Sequence, residues 1–188
     1  SRDLVMECLE LAVQAPTGSN SQGWQWIFVE DAAKKKALAD IYRENFALYR
    51  NMRAANPMAT DDPRAAQQER VTSSAEYLTD NFHRVPVIMV PCITGNLDGL
   101  PAFAAASTWG SILPAVWSFM LAARERGLGT AWTTIHLMNG GDRKAAELLG
   151  IPDGITQAGM FPIAHTIGTE FKPATRLPLD PIVHWDAW

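Results

Sequence analysis

The residue types best suited to chemistry lie together in one short run, Ala15-Pro16-Thr17-Gly18-Ser19-Asn20-Ser21-Gln22-Gly23-Trp24. Pro16 ends a helical period. The small residues behind it let a backbone approach a ligand closely, and two side-chain amides and an indole supply donors and acceptors. Such a loop can follow the polar edge of a flat heterocycle. From composition alone, an ordinary helix-to-strand turn is the favoured reading.

Other chemistries find no purchase. Gly127-Leu128-Gly129-Thr130-Ala131-Trp132 begins like a dinucleotide fingerprint, but Trp132 stands in the place of its third glycine and the segment runs from helix into strand, the reverse of what the fingerprint needs. No GxxxxGK[ST] loop and no GxSxG elbow occurs. His83, His136, His165 and His184 are scattered and without neighbouring carboxylates, so a metal centre is not expected. Cys8 and Cys92 make neither a disulfide framework nor a zinc-ligand set, and read as reduced apolar side chains.

With 16 Lys+Arg against 20 Asp+Glu and a net charge of −4, the 188-residue chain has no basic footprint for nucleic acid. Its 47% hydrophobic content is enough to bury a core. No basic-then-apolar leader opens it, so a cytoplasmic location is expected. The stretch 100–123 carries no charge and is long enough to span a bilayer, but Pro101, Gly110, Ser111, Pro114 and Ser118 interrupt it. A helix packed on all sides inside a protein fits it better, and no membrane partner is expected.

The elements that would position the loop follow from periodicity. Ser1 and Asp3 are cap-type residues ahead of a helix whose apolar face includes Leu4, Cys8 and Leu11. Trp24 to Val29 reads as a buried strand. Glu30 and Asp31 start a second helix whose apolar period fades beyond Asn51, and 51–68, poor in large apolar residues, reads as a lid or variable loop. A helix resumes toward Phe82. Val85 to Ile93 is a second strand, whose Pro86 and Pro91 predict an end, an edge or a bulge. The long uncharged helix, a third strand over Thr130 to Ile135, a short helix over Asp142 to Leu149 and a fourth strand over Met160 to Ile167 complete a domain over 1–171. Trp117 and Trp132 read as core. Helices and strands mix without βαβ alternation, so an α+β fold is expected. Residues 172–188 form an extended, proline-containing arm that ends in Trp185 and Trp188 and either folds back or reaches a second subunit.

The run from Ala15 to Trp24 resembles the Ala-Pro-Ser-x-x-Asn-x-Gln-Pro-Trp signature of the FMN-dependent nitroreductase family, with Thr17 for its serine and Gly23 for its second proline. The order of segments agrees over nearly the whole chain: first helix, signature, strand, variable region, long uncharged helix, the Gly-Leu-Gly-Thr-Ala-Trp strand, and an arm with Arg176 before Leu177-Pro178. The resemblance implies an α+β fold with a central, mainly antiparallel sheet flanked by helices. It further implies an intertwined homodimer with exchanged C-terminal arms, FMN bound at the interface, the uncharged helix in the dimer core and NAD(P)H as donor.

Carried over residue by residue, it makes Pro16, Thr17, Gly18, Ser19 and Asn20 a loop against the flavin, with Gln22 supporting it. Thr133, Thr134, Ile135 and His136 match a segment beside the ring, where a backbone N–H can bond N5. Arg176 matches a cation for the FMN phosphate, with Lys172 a second one. No catalytic side chain is implied, because hydride passes through flavin N5 to a nitroaromatic, quinone or similar electron-poor acceptor. A reductive dehalogenase, a flavin-cleaving enzyme and a flavin-sequestering protein without turnover share the fold and are the alternatives. Two departures stand out. The family's arginine-rich stretch ahead of the first helix has no counterpart in this sequence, which starts within that helix, and Ala164-His165 replaces the usual Gly-Tyr of the fourth strand.

Overall fold

The computed structural model describes all 188 residues. Its helices are α1 (Arg2–Ala12), α2 (Ala32–Ala55), α3 (Ala65–Asn81), α4 (Ala102–Glu125) and α5 (Gly141–Leu149). The strands are β1 (Trp24–Val29), β2 (Val87–Thr94), β3 (Leu128–Thr130), β4 (Ile155–Gln157) and β5 (Phe161–His165). The termini of the first two helices follow local chemistry. The Ser1 hydroxyl accepts from the Leu4 N–H and the Asp31 carboxylate from the Lys34 N–H, so each N-terminal turn has a side-chain cap.

All strand pairs are antiparallel, in the order β1-β2-β5-β3, with β4 also on β2. Period-two alternation therefore sends successive side chains to opposite faces. Trp26, Phe28, Met89, Ile93, Phe161 and Ile163 pack with α1 and α4, around Cys8, Ile112, Val116 and Phe119. Val29, Ile88, Val90, Cys92 and Met160 pack with α2 and α5, around Leu38, Tyr42, Phe46 and Phe82. One sheet thus separates two helical layers.

β2 is the central strand: of the end, edge or bulge that its prolines predict, Pro86 marks an end, just before Val87, whereas Pro91 lies inside the strand and at no edge. Along it, even-numbered N–H groups face β1, as the bond from Thr94 to the Gly23 carbonyl shows, and odd-numbered ones face β4 and β5. Pro91 is odd-numbered and sits between the stretch paired with β5 (Val87 to Met89) and the stretch paired with β4 (Cys92 to Thr94). Its missing N–H falls where no partner strand needs a donor.

Three other sequence expectations change. α2 continues four residues past the fading of its apolar period, and α3 already begins at Ala65, so only 56–64 lacks helix between them. The third strand stops at Thr130. Thr133 keeps a single bridge to Met160, and a 3-10 turn follows over Ile135–Gly140. α4 is packed on one side only: Ile112, Val116, Phe119 and Ala123 are buried, whereas Phe103, Trp117 and Leu121 are more than half exposed in the chain. Trp132, also expected in the core, is 40% exposed. No helix is long and apolar enough to cross a membrane.

The arm beyond Phe171 has no regular structure apart from a 3-10 turn over Asp180–Ile182. Ile182, Trp185 and Trp188 are not covered by the rest of the chain. The ring of Phe171 lies 3.8 Å beneath the Arg124 guanidinium, which fixes where the arm leaves the fold.

Phe119 joins α4 to the sheet by packing against Trp26 and Phe28, with ring centroids 6.4 and 6.1 Å away. Phe119→Ala is expected to lower the free energy of unfolding by about 3–5 kcal/mol, read from urea denaturation.

Candidate functional site

The signature loop is built onto α4 by one residue. The Ser111 hydroxyl accepts the Gly18 N–H at 2.9 Å and donates to the Ser107 carbonyl at 2.7 Å, while the Ser111 carbonyl accepts the Trp24 indole N–H at 2.7 Å. Both ends of the loop therefore hang on one turn of one helix. A Cβ on Gly18 would overlap the Ser107 hydroxyl, so only glycine lets the backbone lie this close without moving that side chain. The Trp24 indole is consequently committed to α4 and does not face a ligand.

Between these anchors the backbone is forced into an unusual course. Ser19, Asn20 and Gln22 all have φ near +50°, in the left-handed region that non-glycine residues rarely adopt. Each such residue costs about 1–3 kcal/mol and persists only when its surroundings dictate it. Here the Thr17 hydroxyl accepts the Gln22 N–H at 3.1 Å, the Gln22 amide donates to the Asn20 side-chain oxygen at 3.1 Å, and Asn20 and Ser21 N–H groups bond back to Thr17 and Gly18. The strained loop presents Ser19, Asn20, Ser21 and Gln22 to solvent, with Pro16 exposed beside them.

On the other face of the sheet, Thr133, Thr134 and Ile135 form one wall of a groove of roughly 1430 Å³ that runs between α2 and α3 and reaches Lys172 at the start of the arm. Thr134 is exposed there. Its carbonyl accepts from the Leu137 N–H, but its own N–H has no partner in the chain. An unpartnered donor on an exposed residue suits an acceptor atom on a flat ring.

His136 lies behind this wall and is fully buried. Its Nε2 faces the Gln157 side-chain oxygen at 3.3 Å, and Gln157 donates its own N–H to the Asp142 carbonyl at 2.7 Å. That second bond fixes the amide with its oxygen toward the ring, so His136 carries its proton on Nε2 and leaves Nδ1 bare and without a partner. Burial lowers its pKa from 6.5 to about 4, and the Gln157 contact offsets this only in part. The ring is a neutral strut for the turn. Asn45 on α2 ties the same turn down by donating to the His136 and Met138 carbonyls, at 3.2 and 2.8 Å.

Arg176 and Lys172 have no carboxylate partner; the Arg176 guanidinium meets only the Thr175 carbonyl, at 3.2 Å. Thiol chemistry is absent, because burial pushes Cys92 up to about 12 and raises Cys8 as well. No group of His, Cys, Asp or Glu is placed to hold a metal ion.

The expected site residues thus fall into two sets. Pro16, Thr17, Gly18, Ser19, Asn20 and Gln22 belong to the α4 side of the sheet, and Thr133, Thr134, Ile135 and Lys172 to the groove on the α2 side. One chain does not bring the two together. Ser111, which holds the first set in place, escaped the sequence reading because it counted only as a polar interruption in an uncharged helix. Its signal was the spacing of Ser107 and Ser111, one helical turn apart and facing the same way.

The model of the nitroreductase family matches residues 1–165. Among curated proteins, "Putative NAD(P)H nitroreductase YdgI" of Bacillus subtilis (strain 168) is 25% identical over 189 residues, covering 98% of this chain and 87% of that protein. Among solved structures, the FMN and NADPH-dependent nitroreductase NfnB from sphigopyxis sp. strain HMH superposes with a TM-score of 0.66 at 20% identity, over 100% of this chain and 91% of that one. Oxidized iodotyrosine deiodinase bound to FMN and 3-iodo-L-tyrosine gives 0.67 at 17% identity, over 100% and 89%. The two structures establish a nitroreductase-like α+β fold.

Two outcomes follow from this geometry. Ser111→Ala leaves the Gly18 N–H without its acceptor and should lower stability by about 1–3 kcal/mol in urea denaturation. For His136 the folded pKa lies below the unfolded one, so its penalty is absent above pH 6.5, grows as pH falls and is complete near pH 4. Over that window it should remove up to about 3 kcal/mol. A pH series of unfolding midpoints should become flatter in His136→Gln.

Proposed function

The chain belongs to the nitroreductase family, and we propose that it is an FMN-dependent oxidoreductase that uses NAD(P)H to reduce nitroaromatic, quinone or similar electron-poor acceptors. The observation that carries the reading is the unpartnered Thr134 N–H in the wall of a groove large enough for a flavin and a second ring. An unpartnered donor on an exposed residue that lines an aromatic-rich groove fits the edge of an isoalloxazine.

Bound FMN supplies the centre that accepts a hydride from NAD(P)H and passes it to the acceptor. The protein's part is orientation and electrostatics. The Thr134 N–H would hold the ring edge, and the buried His136-Gln157 strut keeps that donor in place. Arg176 binds the phosphate, with Lys172 as a second cation, and no side chain serves as acid or base.

The loop half of the site comes from a second copy of the chain. In this reading two copies form an intertwined homodimer: Pro16 to Gln22 of one copy would lie against a flavin held by Thr133 to Ile135 of the other, with His136 supporting that segment from behind rather than touching the cofactor. The exposed Phe103, Trp117 and Leu121 of α4 support it as an apolar interface, and the uncovered Ile182, Trp185 and Trp188 support an arm over 172–188 that crosses from the domain at 1–171 to the partner. The lid at 51–68, made of the end of α2, the connection at 56–64 and the start of α3, borders the groove and sets acceptor choice.

The direct test is the visible spectrum of FMN-loaded protein under anaerobic conditions, followed through addition of NADPH and then NADH. Bleaching is expected with at least one donor; bound FMN that neither reduces would contradict the enzymatic reading and leave a flavin carrier. Arg176→Ala should weaken FMN binding roughly 10- to 100-fold in an equilibrium titration.

A further inference from the structure

The groove's electrostatics are out of keeping with the chain as a whole. The protein has four more acidic than basic residues, yet not one Asp or Glu lines this groove, while Arg50, Arg53, Arg70 and Lys172 all do. Only Arg50 has a carboxylate nearby, that of Glu76 at 3.6 Å. Asp62, in the connection between α2 and α3, is held by Arg64 and does not line the groove. Arg53 and Arg70 come from the two facing helices, both exposed and both without an ion pair. Guanidinium groups without a carboxylate partner on both helices that line the groove are available to an anion that enters it.

The same space is lined by aromatic rings that the fold does not cover. Tyr77 is 70% exposed, and Tyr49 and Trp132 about 40% each. Such rings offer flat apolar surface for stacking against a second ring. Cations and open aromatic surface lining one groove suit a molecule that is planar at one end and negatively charged at the other.

We propose that the acceptor taken by this groove is an aromatic anion, such as an aryl carboxylate, held at its charged end by Arg53 and Arg70. The inference deepens the proposed oxidoreductase reading, since it places the acceptor in the groove walled by Thr133 to Ile135. Its core, charge selection by the groove, does not require turnover. Arg53 and Arg70 here determine specificity; the FMN phosphate is assigned to Arg176 and Lys172.

The test uses the FMN-loaded protein and ligands that cannot be reduced. Equilibrium dialysis of benzoate, benzamide and benzylammonium is expected to show benzoate binding roughly tenfold tighter than benzamide, and benzylammonium weakest. The preference should shrink as ionic strength rises, because the cations are exposed. In Arg53→Gln with Arg70→Gln it should fall to near unity with FMN content unchanged, and turnover of para-nitrobenzoate should fall toward that of para-nitrobenzamide. Equal binding of the three ligands, or a preference that survives in the double variant, would overturn the proposal. So would loss of FMN, or of NADPH affinity alone, in the double variant, since the arginines would then serve the cofactor or the donor. If benzoate is preferred but NAD(P)H does not reduce the flavin, the enzymatic reading falls and the charge selection stands. If nitroaromatics are reduced without regard to charge, the enzymatic reading stands and this inference falls.

Discussion

The arrangement of the site depends on the contact between the signature loop and Ser107 and Ser111 of α4. Ser111 bonds to both Gly18 and Trp24, and the absence of a side chain at Gly18 lets the loop lie flat on the helix. Without those anchors, the loop's own hydrogen bonds alone would have to hold Ser19, Asn20 and Gln22 at positive φ. With them, the polar side chains of the loop point outward from a rigid platform. The uncharged character of α4 follows from the same duty: one side must be small and polar enough to receive a loop, and another apolar enough to bury Phe119 against β1.

The central sheet then decides what one chain can and cannot do. Because side chains alternate along β1, β2 and β5, α4 with its loop lies on one face, and the groove with Thr134 on the other. In the proposed reading, a ligand that uses both does so through two copies. The exposed aromatic face of α4 and the bare aromatics of the arm are costly in water, and the proposed assembly would cover them. On this account dimer formation and cofactor binding are one event, with mutual stabilisation of subunit contact and flavin.

Much of this is legible in the sequence, and the failures have physical causes. The Ala15-to-Trp24 run, the α4 segment and the alternating strands declare themselves through spacing that local structure obeys directly. Pro91 misled because a proline's effect depends on which side of the strand its missing donor faces, and that is set by where β5 gives way to β4. Trp117 and Trp132 read as core because an apolar residue type does not show whether its own chain covers it. The groove was invisible for a related reason. Arg53, Arg70 and Lys172 are separate in sequence, and only the fold, which sets α2, α3 and the start of the arm around one groove, turns them into one cationic lining within an acidic protein.

The claim at the centre of this account is that the flavin site is a composite of two chains. Sedimentation velocity of the FMN-loaded protein, recorded through the flavin's visible absorbance over a dilution series, tests it most directly. The account predicts that bound flavin sediments only with a species of twice the chain mass, and that free flavin is released as that species dissociates. Flavin travelling with a stable monomer would contradict it.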